Sequence, residues 1–232
     1  VYEQRRYETT YGKLFRQLHH SLLSEELSQV STDATCLEVA CGTGHTTRLI
    51  AKHFDSVKAC DLTPEMMLRN KQSEHVGNVE YIQANAFELP FPDSSIDVLI
   101  STRFLHLFNW DDQARLYKEF YRVLAPGGCL LIDFDNIIPR WLYVIPHFIY
   151  NLLRYKRAAP FSIYNFSGRT LKALEDAGFE NLKSSGVGGW HLAFINKFSK
   201  RFSYWLGIKH RKLPLRLIAE QFLVSASKKK LS

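Results

Sequence analysis

Leu37-Glu38-Val39-Ala40-Cys41-Gly42-Thr43-Gly44 reads as an apolar strand that carries one acid and runs into a glycine turn. Glycines at 42 and 44 accept positive φ and let the backbone come close to a ligand. Residues 45–54 are expected to open a helix whose N-terminal N–H groups face the same spot. A strand, turn and helix of this kind makes a nucleotide-type pocket, and Glu38 decides which ligand it takes.

The dinucleotide pattern Gly-x-Gly-x-x-Gly is incomplete, because Thr47 stands at its third glycine. Glu38 would also bring a carboxylate close to where an anionic pyrophosphate must sit, which Coulomb repulsion disfavours. A cationic ligand without phosphate suits the site better. S-adenosylmethionine (SAM) is such a ligand, with a sulfonium, an α-ammonium and an adenosine whose ribose needs an acid. Asp61 supplies that acid: it follows the apolar strand Val57-Lys58-Ala59-Cys60 and lies 23 residues beyond Glu38, where a second parallel strand would end beside the first.

Taken with three later motifs, these residues resemble the class I SAM-dependent methyltransferases of the methyltransferase type 11-like kind, from about residue 34 to 134 and again towards the C-terminus. Leu37 to Gly44 is similar to the family's first motif, with Glu38 in its acidic position and Ala40 where a first glycine is usual. Ala59-Cys60-Asp61-Leu62-Thr63-Pro64-Glu65-Met66 resembles the second, in which the acid takes the ribose hydroxyls and Leu62 and Met66 pack near the adenine. Gln83-Ala84-Asn85-Ala86-Phe87-Glu88-Leu89-Pro90-Phe91 resembles the third; Asn85 replaces the acid that accepts from the adenine amino group, and its amide oxygen can also accept. Arg122 to Leu130, with Pro126-Gly127-Gly128, resembles the turn before the fifth strand. The cofactor set implied by the resemblance is Glu38, Ala40, Gly42, Thr43, Gly44, Asp61, Leu62, Met66, Asn85, Ala86 and Ser101. Tyr11, in an N-terminal segment that covers the cofactor in many relatives, joins it as a candidate for the methionine carboxylate.

At 232 residues, 46% hydrophobic and 23% charged, one well-buried domain is expected. It would carry a helical cover over residues 1–30 and two insertions, 136–166 and 190–214, facing substrate or membrane. Strands are expected at Thr35–Val39, Val57–Asp61, Val79–Gln83, Ile96–Ser101 and Cys129–Asp133, with helices near 45–54, 64–74 and 111–124. Short apolar strands with helical connections give an α/β fold: a mostly parallel, Rossmann-like sheet with helices on both faces. A helix over 168–177 ended by Gly178, and strands near 180–187 and 217–226, complete it. The resemblance makes those last strands the antiparallel hairpin of a seven-stranded methyltransferase sheet.

Cys36, Cys41, Cys60 and Cys129 show no Cys-x-x-Cys spacing and read as small core hydrophobes. No His, Cys or carboxylate group has metal-ligand spacing, so a metal is not expected. The chain begins without Met and without a signal-like apolar stretch, and the expected location is cytoplasmic, peripheral on the membrane.

The net charge of +7 hides a division. Residues 1–135 hold 13 Lys/Arg against 19 Asp/Glu, whereas residues 136–232 hold 17 against 4. So basic a second half suggests an anionic partner, either a membrane surface or nucleic acid. Two stretches there are unusual. Residues 137–157 combine Trp141, Tyr143 and Tyr150 with Arg154, Lys156 and Arg157; the uncharged run 141–153 is too short to span a bilayer and is broken by Pro146. It reads as a lid or core helix, or as an interfacial segment. Residues 191–209, read as one helix, bring Phe194, Ile195, Phe198, Phe202, Trp205 and Leu206 into one arc, with Lys197, Lys200 and Arg201 outside it. That basic amphipathic helix either docks its aromatic face on the domain or lies on a membrane. The tail architecture is similar to that of the ubiquinone-pathway O-methyltransferases.

Methyl transfer is an in-line displacement, so the protein must align the acceptor, exclude water and, for a hydroxyl, remove a proton. His106 follows the fourth strand on the rim where substrate should arrive, and is the candidate catalytic base. Asp135 and His147 are weaker candidates. The reading is a SAM-dependent methyltransferase for a small-molecule or lipid-like acceptor at a membrane surface. An RNA-directed methyltransferase and a non-catalytic SAM-binding scaffold are the alternatives.

Overall fold

Short runs of β-branched and apolar residues bounded by turns form the centre of the molecule, and the computed structural model describes residues 9–73, 77–136, 167–209, 211–212 and 218–230. β1 (Cys36–Val39), β2 (Val57–Asp61), β3 (Val79–Gln83), β4 (Ile96–Ser101) and β5 (Leu124–Asp135) pair in parallel in the order 3-2-1-4-5. All four β1 residues are buried, as a central strand covered on both faces requires. β6 (Phe179–Val187) and β7 (Gln221–Lys228) add an antiparallel pair, with β7 inserted between β5 and β6. The result is the expected seven-stranded sheet.

The helices are α1 (Thr10–Leu27), α2 (Thr47–Ile50), α3 (Pro64–Ser73), α4 (Trp110–Val123), α5 (Ser167–Asp176), α6 (Trp190–Phe198) and α7 (Lys200–Lys209). Side chains explain several of their ends. Thr9 caps α1 by accepting from the Gly12 N–H, and Asn109 caps α4 by accepting from the Asp112 N–H. Tyr117 and Phe120 turn the inner face of α4 into one buried cluster with Leu99, Leu130 and Phe134 of the sheet.

Three expectations change. The helix expected over 45–54 is regular only in α2; beyond it the hydrogen bonds shorten to i→i−3 contacts such as Lys52 to Leu49 and His53 to Ile50, which tighten the last turn. β5 starts at Leu124 rather than Cys129, so the Pro-Gly-Gly segment belongs to the strand. The single helix expected over 191–209 is two, because Ser199 takes an extended conformation and its hydroxyl accepts from the Phe202 N–H to start α7. The stretch 137–166, with His147 and the uncharged run, lies outside the described residues.

The small and polar sides of both helices face inward. Leu192, Asn196, Ser203 and Gly207 are buried, whereas Phe194, Phe198, Phe202 and Trp205 are exposed, so the aromatic side does not dock on the domain. Small residues allow the inner side to approach α1 closely: a Cβ added at Gly207 would lie 2.5 Å from Leu18 Cδ1. Asn196 donates to the Thr10 carbonyl at 3.2 Å, and Arg211 donates to Ser21 Oγ at 2.9 Å and pairs with Glu25. α1 is thus held between the sheet and the α6–α7 pair, with Leu14, Leu18, Leu22 and Leu23 fully or nearly buried. Among the described residues no helix is long and apolar enough to cross a membrane.

That contact predicts a coupled pair of substitutions. Leu18→Ala should cost about 2–5 kcal/mol as a cavity mutation, and Gly207→Ala about 1–3 kcal/mol through overpacking. In the double variant the two costs should fall short of their sum in urea denaturation, since the new methyl enters the space Leu18 vacates; strict additivity would show that the two positions are not packed together.

Candidate cofactor and acceptor site

The strand order reverses direction between β1 and β4, and in open sheets of this type the ligand crevice lies beyond the carboxyl ends of the strands at that point. The turn after β1 enters it directly. Ala40 takes φ 61, Gly42 φ 52 and Gly44 φ 87, three left-handed positions within five residues. The φ at Ala40 explains why a glycine is usual there: a Cβ in that region carries a cost of roughly 1–2 kcal/mol. Gly42 has nothing within 4 Å of where a Cβ would be, so its backbone faces open space.

Asp61, at the end of β2, is fixed by two backbone donors. The Gly42 N–H donates to its Oδ2 at 2.8 Å and the Thr63 N–H to its Oδ1 at 2.9 Å. Both oxygens therefore point into the crevice edge with lone pairs left for further donors. Beside it Leu62 and Met66 are 65% and 41% exposed, an apolar pair without core partners. Asn85 is exposed at the end of β3, its Oδ1 accepting from the Phe87 N–H at 3.1 Å, with Ala86 half-buried next to it. Ser101, ending β4, is fully buried, and among the described residues its hydroxyl has no hydrogen-bond partner. Thr43 is half-buried in the turn, its carbonyl accepting from Arg48 at 3.2 Å. The donor set, the open backbone at Gly42, the exposed apolar pair and the orphaned Ser101 hydroxyl fit an adenosine with a charged tail.

Glu38 is the electrostatic centre. Burial pushes its carboxyl up to about 8, and the charge of Asp61 adds to this; the Thr47 hydrogen bond and the Arg48 charge act the other way. Thr47 Oγ1 donates to Glu38 Oε2 at 2.5 Å, Asn70 Nδ2 donates to Thr47 Oγ1 at 2.9 Å, and the Tyr81 hydroxyl donates to Asn70 Oδ1 at 3.0 Å. This relay joins β1, α2, α3 and β3. Gly44 leaves room for it, since a Cβ there would sit 1.9 Å from Asn70 Oδ1.

A second cluster connects α1 to the turn. His19 is paired with Asp133 at 3.0 Å, both buried, and Asp133 Oδ1 accepts from the Arg103 N–H at 2.6 Å. The His20 ring lies 5.0 Å from that of His45, which follows Gly44. Burial, with the cations Arg16 and Arg48 nearby, lowers His20 to about 4 and His45 to about 3, so both are neutral at pH 7. Thr46 and Thr102 share a hydroxyl hydrogen bond of 2.7 Å that links the turn to the exit of β4. Beside this cluster an open cleft of about 530 Å³ is lined by Arg16, Gln17, His20 and Tyr204.

His106 lies in a single 3-10 turn, Leu105–Leu107, just beyond β4, and is half-buried. Asp135 is buried and accepts from Gln221 Nε2 at 2.6 Å. The Tyr11 hydroxyl donates to Glu220 at 2.7 Å and accepts from the Gly189 N–H at 2.9 Å. The Glu38 relay and the His19–Asp133 pair were missed in the sequence. In the sequence Thr47 stands out only as the absent third glycine, and Asn70 and His19 are polar residues at positions that a helical pattern assigns to the buried face. Cys36, Cys41 and Cys60 are buried free thiols whose pKa burial raises, in keeping with core side chains.

Residues 37–132 match the methyltransferase domain family. The chain is similar to the ubiquinone/menaquinone biosynthesis C-methyltransferase UbiE of Proteus mirabilis, 42% identical over 115 residues, covering 46% of this chain and 45% of that protein. The protein of the same name from an Enterobacter species is 36% identical over 114 residues, with the same coverage. This chain spans about half the length of the curated relatives it matches. Among solved structures, a SAM-dependent methyltransferase of Methanosarcina mazei has TM-score 0.61 and 17% identity, covering 87% of this chain and 95% of that one. One from Mesorhizobium loti has TM-score 0.59 and 18% identity, covering 95% and 98%. At such identities these likenesses show the fold. Residues 37–132 thus match a methyltransferase domain, and motifs, relatives and fold together support a class I SAM-dependent methyltransferase.

Two predictions follow from this geometry. Asp61→Ala should weaken SAM binding by about tenfold to a hundredfold, the worth of charge-assisted hydrogen bonds; near wild-type affinity by calorimetry would remove Asp61 from the site. The second concerns pH. Glu38 is raised in the folded state, so its contribution to stability is complete below pH 4.5 and is lost as pH rises through about 8. His20 and His45 are lowered, so theirs is complete above 6.5 and is lost as pH falls towards 4 and 3. Thermal stability should therefore decline from pH 6.5 to 8, and Glu38→Gln should flatten that decline; an unchanged slope would mean that Glu38 is ionised in the fold.

Proposed function

We propose that this protein transfers a methyl group from SAM to a small-molecule or lipid-like acceptor, with its basic second half turned towards an anionic membrane surface. The observation that carries the reading is the Asp61 carboxylate, held by the Gly42 and Thr63 N–H groups beside the exposed Leu62 and Met66. SAM, when bound, supplies a methyl carbon made electrophilic by its sulfonium. Asp61 accepts from the ribose hydroxyls, Leu62 and Met66 cover the adenine, and Asn85 and Ala86 meet its edge. Glu38 adjoins the cationic portion, where a ligand's positive charge offsets the desolvation that now keeps the acid protonated. Ser101 offers its hydroxyl at the end of β4.

On the acceptor side, the residues beyond β4 and β5 align the nucleophile and exclude water, which strengthens every charge interaction in the site. His106 is assigned as the base that takes the proton the acceptor must lose. The quinone-pathway C-methyltransferases among the relatives favour an electron-rich ring with carbon as the methylated atom. An uncharged, ring-bearing acceptor also agrees with the aromatic rather than phosphate-tracking character of the tail.

Incubation with methyl-labelled SAM and a lipid and small-molecule extract should label a product in the organic phase, identifiable by mass spectrometry. Label confined to RNA would favour the nucleic-acid reading, and SAM binding without any turnover would favour a scaffold. His106→Ala should slow turnover by about 10²–10⁴-fold, the usual contribution of a general base, with SAM affinity unchanged; an unaltered rate at saturating acceptor would remove it as the base.

A further inference from the structure

The outward face of α6 and α7 is the most anomalous surface among the described residues. Phe194, Phe198, Phe202 and Trp205 are between 51% and 77% exposed, although an aromatic side chain normally gains by leaving water. They form two ring pairs, Phe194 with Phe198 at 5.2 Å and Phe202 with Trp205 at 5.6 Å. At 100° per residue they lie opposite Leu192, Asn196, Ser203 and Gly207, the sides that are buried. The exposure is therefore built in: the small and polar side fits against α1, and no rotation of the helices would bury the rings without losing that fit.

Charge identifies the occupant. Residues 190–217 contain seven Lys or Arg and no Asp or Glu. Lys197, Lys200, Arg201 and Lys209 are exposed around the rings, and Lys209 Nζ lies 5.6 Å from the Trp205 ring centroid. A second copy of this chain would bring like charges together, which disfavours a self-interface. Aromatic rings bordered by cations instead match the layer where acyl chains meet anionic headgroups.

We propose that the α6–α7 face is the seat by which the protein lies on an anionic bilayer, the four rings entering the headgroup boundary and the bordering cations meeting lipid phosphates. Its direction relative to the site gives it a purpose. Tyr204, next to Trp205 on α7, forms one wall of the cleft whose opposite wall includes His20, and His20 contacts His45 of the glycine turn. A lipid-like acceptor leaving the bilayer beside α7 would therefore enter at the cofactor loop. This extension rests on the proposed lipid-like acceptor, whereas the surface itself rests on exposure and charge alone.

The test is sedimentation of the full chain with vesicles of phosphatidylcholine alone or with added phosphatidylglycerol, with SAM affinity measured by calorimetry on the same samples. Binding should require the anionic lipid and fall with salt. Phe198→Ser with Trp205→Ser should reduce it by at least tenfold. Lys200→Glu with Arg201→Glu should reduce it by at least about 25-fold, each cation near an anionic surface contributing about fivefold. All four positions are exposed, so folding and SAM affinity should be unchanged. Equal binding by wild type and the ring variant, no binding at low salt, a dimer that the ring variant dissolves, or retention by homopolymer RNA but not by vesicles would each overturn the proposal. If SAM binding persists in those cases, the methyltransferase reading stands; loss of SAM binding in the wild type would instead strike the cofactor assignment.

Discussion

A carboxyl group that must be both buried and adjustable governs the architecture of this site. Glu38 sits in the middle of a sheet covered on both faces, where an ionised acid without partners would be prohibitively expensive. Burial keeps it neutral, while a relay through Thr47, Asn70 and Tyr81, which donates to the acid and so favours its ionised form, draws α2, α3 and β3 around the end of β1. Gly44 is required because the relay passes where a side chain would project, and Ala40 accepts a strained conformation because the chain must turn at once. The same turn delivers the Gly42 N–H to Asp61. Two acids with opposite roles therefore share one loop: one kept out of water, one fixed at its edge.

The cofactor half was legible because its constraints are local and periodic. A strand covered on both faces must be a short apolar run, and β2, β3 and β4 begin and end where those runs do. The turn residues that follow them are selected by close approach and left-handed backbone, which leave a mark on residue type. The tail follows a different logic. A continuous 100° pattern over 191–209 cannot reveal that Ser199 interrupts it, since serine suits both an exposed helical position and a cap. Nor can the pattern decide which side is inward: the apolar side is the obvious choice, yet close packing on α1 selected Ser203 and Gly207.

Long-range polar pairs were the hardest to anticipate. His19 and Asp133 are 114 positions apart, and Tyr11 and Glu220 are 209 apart. Neither pair belongs to a motif, and a histidine on an apolar helical face or a tyrosine near a chain start has many ordinary explanations. What distinguishes them is where they meet, near the carboxyl end of β5 and the adjoining amino end of the antiparallel β7, which only the assembled sheet specifies.

The position of α1 also governs how the chain can reach its native state. The helix is translated before the strands of the sheet, yet many of its partners are in β5, β6, β7 and the α6–α7 pair. At ribosomal speeds of about 5–20 residues per second, the interval before those partners emerge is roughly 10–40 s. Throughout it Leu14, Leu18, Leu22 and Leu23 have only part of their native cover, from earlier residues such as Cys36, Ile50, Phe54 and Val57. Completion of the cover beside the glycine turn therefore waits for the C-terminal elements of the sheet and for α6–α7.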